Sequence, residues 1–406
     1  MNKPDFDKEV DRKGTDTYKW DNLQFIWPSI SRDDFVPLWV ADMDFPVAPV
    51  IQDALERRVG HAVYGYSYPG EDYFRAVVKW FSDYHDYHFA ATDIVPTTGV
   101  VPAISAIIRA FTKPGDGVLI QPPVYNCFFS TVENNSCRKV ESPLLRVDYG
   151  DGTFSYKMDF EDMERKCKDG NVKLFLLCNP HNPAGRAWTH EELAKVAEIC
   201  GRNGVRVISD EIHNELTQPG TEYTPYAPVA ASVNNNNEPR PIVCCSPSKS
   251  FNTAGLHIAN VICPDKATLE MVASGLHANE ATGLSPFGIE SVKAAYSVQG
   301  KEWLNNLRDY IWSNYEFMLD FMRRNLPEFP VTRLEATYLP WVDVRALGMP
   351  SKEIEKSLLE NEGVWINGGE MYGGEGFVRF NIACPRHQLE EGLQRFLKGV
   401  KRILKH

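Results

Sequence analysis

No stretch of the 406 residues approaches the roughly 20 consecutive apolar residues that a membrane-spanning helix needs. The opening segment, MNKPDFDKEVDRKG, alternates acidic, basic and polar residues and lacks the apolar core of a secretory signal. Cysteine occurs nine times but never in C-x-x-C spacing, and Cys244 and Cys245 are adjacent, a poor geometry for a metal pair. The expectation is therefore reduced core thiols, no metal, no disulfide framework and a cytoplasmic protein. Positive charge is also short. A net charge of -11 opposes attraction to a phosphate backbone, so neither nucleic acid nor a membrane is expected as a partner. There is no internal repeat, and the one low-complexity patch, Asn234 to Asn237, reads as a solvent loop.

What is present is an ordinary globular composition, 43% hydrophobic and 24% charged, in a chain long enough for two domains sharing a cleft. In its middle, short apolar runs rich in β-branched residues alternate with helical periodicity. VLIQ (118–121), KLFLLC (173–178), VRVIS (205–209), PIVCC (241–245) and IANVIC (258–263) read as buried parallel strands. Between the second and third, THEELAKVAEICGRNG has a Thr189 cap, an acidic first turn and a closing Gly204, the marks of a helix. Strand, helix and strand in succession predict an α/β fold with a doubly wound, mainly parallel sheet. From about 300 onward the pattern changes to a long amphipathic helix, isolated strands such as YLPWVDV and FVRFNIA, and a final helix. We expect a large domain over 50–290 and a smaller α+β domain built from 1–49 and 291–406.

Ligands of doubly wound sheets sit beyond the carboxyl ends of the strands. There KLFLLC runs into NPHNPAGR, VRVIS into Asp210 of SDEIHNEL, and PIVCC into SPSK with Lys249. An earlier turn, TTGVVPAISAIIRAF, puts Gly99 before a predicted helix, so the amides of Val100 and Val101 can face an anion. Each element alone is ordinary: a turn, a helix cap, a rigid proline-rich loop, a solvated lysine. Amide, carboxylate, amine and phosphate site at one sheet edge together suggest pyridoxal 5'-phosphate. Its aldehyde needs a lysine, its ring nitrogen an acid and its phosphate donors.

SPSKSFNTAGL, NPHNPAG and SDEIHNEL resemble the lysine, asparagine and aspartate motifs of the fold-type I pyridoxal phosphate enzymes, the aminotransferase class I and II superfamily. WVADMDFPVAPVI, VYGYSYPG, EATYLPWVDVR and GGEMYGGEGFVRFNIACPR are similar to its cystathionine β-lyase branch, the bacterial carbon-sulfur lyases of the MalY/PatB type. The resemblance implies that Lys249 carries the cofactor and then acts as general base. It implies that Asp210 keeps the pyridine nitrogen protonated, that Asn182 donates to the ring oxygen and that Tyr125 stacks on the ring. Phosphate donors would be the amides near Gly99, Val100 and Val101 and the hydroxyls of Ser246 and Ser248. Tyr66 would reach the phosphate of a neighbouring subunit, which implies a homodimer with shared active sites. Arg379 would hold the carboxylate of a small amino-acid substrate, with Asn182 and the backbone around Ala41 and Asp42 lining the same pocket.

Two positions depart from the aminotransferase pattern. His213 stands where most relatives have a tyrosine bonded to the cofactor oxygen, and it either makes that bond or packs. His257 occupies a position where many have a phosphate-binding arginine. Both departures resemble the lyase branch. The expected reaction is cleavage of L-cystathionine or a related L-cysteine S-conjugate to a thiol, pyruvate and ammonia, a thiolate being a far better leaving group than an alkoxide. The alternatives are an aminotransferase of an aromatic or other amino acid and, more remotely, a non-enzymatic regulatory protein on this scaffold.

Overall fold

The apolar runs of the middle of the chain line up in one seven-stranded sheet. In the computed structural model, which describes residues 4–233, 238–279 and 282–405, its strands lie in the order Ile94–Thr97, Ala259–Ile262, Ile242–Cys245, Arg206–Asp210, Val172–Cys178, Gly117–Ile120 and Arg138–Glu141. The asparagine run at 234–237 lies outside the described residues. Five neighbouring strands, from Ile242–Cys245 to Arg138–Glu141, are mutually parallel. Ile242–Cys245 is buried throughout and Val172–Cys178 at all but Lys173, because helices cover both faces. One expectation needs correcting. Ala259–Ile262 is antiparallel to both of its neighbours. The chain between Cys245 and Ala259 forms the lysine turn and a short 3-10 turn at Ala254–Leu256 instead of a crossover helix, so it returns in the opposite sense.

The helices form where the periodicity predicts. His190–Arg202 starts at Thr189, whose hydroxyl accepts from the Glu192 amide while the Glu192 carboxylate accepts from the Thr189 amide. Val100–Phe111 buries Val100, Ala103, Ile104, Ala106, Ile107 and Ile108, and each isoleucine contributes roughly 1.5–3 kcal/mol by leaving water. That burial fixes the helix's first turn against the sheet.

The C-terminal part builds a six-stranded sheet in the order Asn367–Gly368, Phe377–Arg379, Trp341–Asp343, Val331–Thr332, Thr153–Lys157 and Leu145–Asp148. Its last two strands are a hairpin from the middle of the chain, paired in parallel through Thr153 and Val331. Periodicity does not reveal this exchange, because the hairpin lies within the expected 50–290 unit. The N-terminal segment joins through Val36–Pro37, parallel to Val364–Trp365. The long helix Val298–Asn325 and the final helix Arg386–Ile403 pack on these strands. Among the described residues no helix is long and apolar enough to cross a membrane.

Candidate active site

Three strands end side by side, with Cys178 opposite Asp210 and Asp210 opposite Cys244. The chain leaving each delivers one polar side chain to a cavity of about 270 Å³ whose lining includes Asn182, Asp210, Lys249 and Arg379. With Ala41, Tyr125 and His213 in the same lining, the structure brings together seven of the residues singled out from sequence.

Asn182 sits in a turn that cannot drift. The His181 amide donates to the Arg186 carbonyl at 2.8 Å, and the Glu335 amide donates to the Gly185 carbonyl at 2.7 Å. Gly185 has φ +67, and a Cβ there would lie 2.8 Å from Leu334 Cδ1, so only glycine permits this approach. Arg186 then bridges Glu192 and Glu335, each at 2.8 Å. Asn182 Oδ1 accepts from Arg379 Nη1 at 3.1 Å, which leaves the amide NH₂ as its donor.

Arg379 is 3% exposed. Besides Asn182 it donates from Nη2 to the Trp39 carbonyl at 3.0 Å, and its guanidinium lies over the Tyr372 ring, 4.6 Å from the centroid. Its Nε has no partner among the described residues. Of five N–H donors only two are engaged, so the fork can still take a carboxylate.

Lys249 Nζ donates to the Ala41 carbonyl at 2.7 Å. That carbonyl also accepts from the Tyr338 hydroxyl at 3.0 Å. Burial pushes the Lys249 ammonium below its usual 10.5 and Arg379 pushes the same way, against the opposing pull of Asp42 and Asp210. The segment holding Ala41 is clamped from two sides. Asn252, beside the lysine turn, donates to the Met43 and Phe45 carbonyls at 2.9 and 2.8 Å, and Asn381 donates to the carbonyls of Val40 and Asp42.

Asp210 is 3% exposed, and its Oδ1 accepts from the Ile212 amide at 3.2 Å. Burial, with Glu211 pushing the same way, raises its pKa to about 7 despite that bond and the nearby lysine, and among the described residues it forms no ion pair. Next to it Glu211 is fully buried and satisfied by Ser209, Tyr223 and the Tyr226 amide, which makes it structural. His213 lines the cavity. Burial, followed by the nearby Lys249 and Arg379 charges, lowers its pKa to about 3, so the imidazole is neutral, and its Nδ1 has no partner among the described residues. His257 is exposed.

Gly99 is the N-cap of Val100–Phe111, and among the described residues no side chain caps the helix, so the amides of Val100 and Val101 remain open to an anion. Its strand ends at the same sheet edge as the lysine turn. Ser248 lies in that turn, but Ser246 needs a correction. Its hydroxyl donates to the Ile258 carbonyl at 2.6 Å and accepts from the Ser248 amide at 3.1 Å, so its proton is already committed to the fold. Tyr125 caps Asn126–Asn134 and lines the cavity. Tyr66 is fully exposed and does not line the cavity of its own chain.

Sequence reasoning missed Tyr18, Trp39, Cys127, Asn367, Met371 and Tyr372 as lining residues. The recurrent glycines of GGEMYGG were the available signal. Gly369 would place a Cβ 2.1 Å from the Gly374 carbonyl, so this turn folds tightly enough to present Met371 and Tyr372. All nine cysteines are free, but Cys127 is only partly buried and faces the cavity, unlike the core thiols expected.

The donor set fits pyridoxal 5'-phosphate: a half-buried amine, a buried carboxyl in no ion pair among the described residues, an amide donor and an uncapped helix N-terminus share one sheet edge. Comparison with known proteins agrees. The profile of the family described as aminotransferase class I and II matches residues 34–396. The chain is 38% identical to cystathionine beta-lyase PatB of Bacillus subtilis (strain 168), covering 96% of this chain and 98% of that one. It is 34% identical to protein MalY of Escherichia coli (strain K12), covering 98% and 99%. The structure of cystalysin from Treponema denticola, which contains a pyridoxal 5'-phosphate cofactor, superposes with a TM-score of 0.91 at 35% identity, covering 98% of this chain and 99% of that one. On the site's geometry and on a match that spans most of its length, the chain belongs to the aminotransferase class I and II family.

Proposed function

We propose that the protein is a pyridoxal 5'-phosphate-dependent carbon-sulfur β-lyase. It cleaves L-cystathionine or a related L-cysteine S-conjugate to a thiol (homocysteine from cystathionine), pyruvate and ammonia. The observation that carries this reading is the placement of a base, Lys249, and a carboxylate fork, Arg379, on one cavity with the buried Asp210.

When bound, the cofactor supplies an electron sink for the pair left at the substrate Cα. The chain's residues do the rest. Lys249 would hold the cofactor through its aldehyde carbon, and its amine, lowered in basicity by burial, would serve as the base for the substrate Cα proton. Asp210 would hold the ring nitrogen and favour its protonated form. Asn182 and His213 would serve the ring oxygen, Tyr125 would pack on the ring, and Ser248 and the amides of Val100 and Val101 would hold the phosphate. Arg379 binds the α-carboxylate beside Asn182 and the Ala41 backbone, which fixes the amino acid's orientation. The electrons from the Cα–H bond form the Cα–Cβ double bond as the Cβ–S bond breaks, and the thiolate leaves. The three-carbon fragment hydrolyses to pyruvate and ammonia.

The working unit in this reading is a cytoplasmic homodimer. The segment Ala62–Gly70 carries the exposed side chains Val63, Tyr64, Tyr66 and Tyr68, an apolar arm that a second copy would cover, with Tyr66 at the second copy's phosphate. Residues 50–290, apart from the hairpin at 145–157 that joins the C-terminal sheet, would form the cofactor-holding unit, and 1–49 with 291–406 the smaller unit.

The test is incubation of the purified protein with L-cystathionine, with and without an added α-keto acid. Pyruvate formed without the acceptor supports the lyase; dependence on the acceptor makes the protein an aminotransferase.

A further inference from the structure

The cavity divides by charge. Its Asp, His, Lys and Arg side chains are Asp210, His213, Lys249 and Arg379, each already given a part in holding the cofactor or the α-amino acid. The lining left for the sulfur substituent is Tyr18, Trp39, Val40, Asn126, Cys127, Cys178, Ile212, Asn367, Met371 and Tyr372, which among the described residues adds no carboxylate, ammonium or guanidinium. Tyr18 and Met371 are 57% and 42% exposed, which puts them at the mouth. Trp39 stacks on Trp365 with centroids 4.1 Å apart and planes 10° apart, so that wall is rigid and aromatic.

We infer that the site selects L-cysteine S-conjugates whose sulfur carries a neutral apolar or aromatic group, in preference to L-cystathionine. The inference rests on the lyase reading and narrows its substrate class. Cystathionine's leaving group ends in a second ammonium and a second carboxylate. Both must shed water at the mouth, and the lining offers neither an anion nor a cation in return. The neighbouring carboxylates do not serve. Asp42 is paired with Arg12 at 2.7 Å, and Glu370, beside Met371, turns its Oε2 into the interior. An apolar substituent instead buries surface against the indole, the thioether and Ile212. A partner's arm does not change the balance, since Ala62–Gly70 reads AVYGYSYPG and contains no charged side chain.

The experiment compares kcat/KM for S-benzyl-L-cysteine and L-cystathionine by pyruvate release from the cofactor-loaded protein. It then repeats both measurements on Met371→Lys, which places a cation at the mouth. We expect the benzyl conjugate to be favoured tenfold or more, and Met371→Lys to reduce the ratio of the two values at least fivefold. Using the ratio cancels any general loss of activity in the variant. A ratio at or below one in the unmodified protein, or a ratio that Met371→Lys leaves unchanged, overturns the inference while leaving the lyase reading intact. Pyruvate from neither conjugate overturns the lyase reading and the inference with it.

Discussion

Replacing Asp210 by asparagine should stabilise the cofactor-free protein, and more so as the pH rises. Burial lifts this carboxyl from the ordinary 3.8 to about 7. A carboxyl that is harder to ionise when folded than when unfolded costs nothing below pH 3.8. Its cost grows between 3.8 and 7, where the folded state still holds a proton that the unfolded state has released, and is constant above 7. Three decades of proton affinity at ~1.4 kcal/mol each give about 4 kcal/mol at full ionisation. Asparagine has the same shape and no such titration. Urea unfolding of both proteins without cofactor, at pH 5 and pH 8, should show the stability difference moving by about 2–3 kcal/mol in favour of Asp210→Asn. The amide's own pH-independent cost cancels in that comparison. A difference that stays within about 0.5 kcal/mol across the range would refute the reasoning, because Asp210 would then ionise as easily in the fold as in water. The same destabilisation is why a protonated ring nitrogen is a suitable ligand: it supplies the ion-pair partner that Asp210 lacks among the described residues.

The other expectations concern the remaining parts of the site and its scaffold. Lys249→Ala should lose turnover by 10³-fold or more, and borohydride reduction of the cofactor-loaded protein should add the cofactor's mass to the unmodified chain but not to this variant; mass addition in the variant would place the covalent link elsewhere. Arg379→Met should raise KM for the amino acid substrate by about 30- to 100-fold, roughly 2–3 kcal/mol, and a KM within twofold of normal would remove Arg379 from carboxylate binding. Tyr66→Ala should weaken cofactor binding about tenfold in a protein that sediments as a dimer; a fully active monomer would contradict the shared site. Glu215 is buried and accepts from His85 at 2.5 Å and Trp80 at 2.6 Å, and although burial works to raise its pKa, His85, Lys301 and Trp80 bring it below 4.5. Its contribution is therefore present above pH 4.5 and lost as the pH falls through the depressed value, so Glu215→Gln should cost about 3–5 kcal/mol at pH 7 and progressively less below 4.5, measured by urea unfolding.

The parts of the fold that were legible in sequence are those governed by local rules. KLFLLC and VRVIS pair where their apolar runs predict, and the helix after Thr189 begins at its capping box. Asp210 and Lys249 were legible for a related reason: a polar residue directly after a buried strand has few places to go except the strand's mouth. What the sequence hid depends on partners distant along the chain. The antiparallel Ala259–Ile262 strand follows from a loop that turns back rather than crosses over, and periodicity carries no strand direction. The hairpin at 145–157 joins the C-terminal sheet through Val331, although its own alternation suits either sheet. Ser246 looks from sequence like a free hydroxyl beside a lysine, and only the fold reveals Ile258 as its acceptor.

The same distance effect decides how the lysine is aimed. Its amine rests on the Ala41 carbonyl, 208 positions away in sequence, and that carbonyl belongs to a bent, irregular segment with no helix or strand to fix it. Asn252 grips the segment from the lysine turn, with φ 56, a left-handed conformation that asparagine tolerates better than most residues. Asn381 grips it from the strand end that also carries Arg379. One stretch of backbone thus registers the proposed base against the proposed carboxylate fork, and the two asparagines are what allow an irregular segment to do so. Buried carbonyls need donors, and here the donors come from the two sides whose separation the chemistry must hold constant.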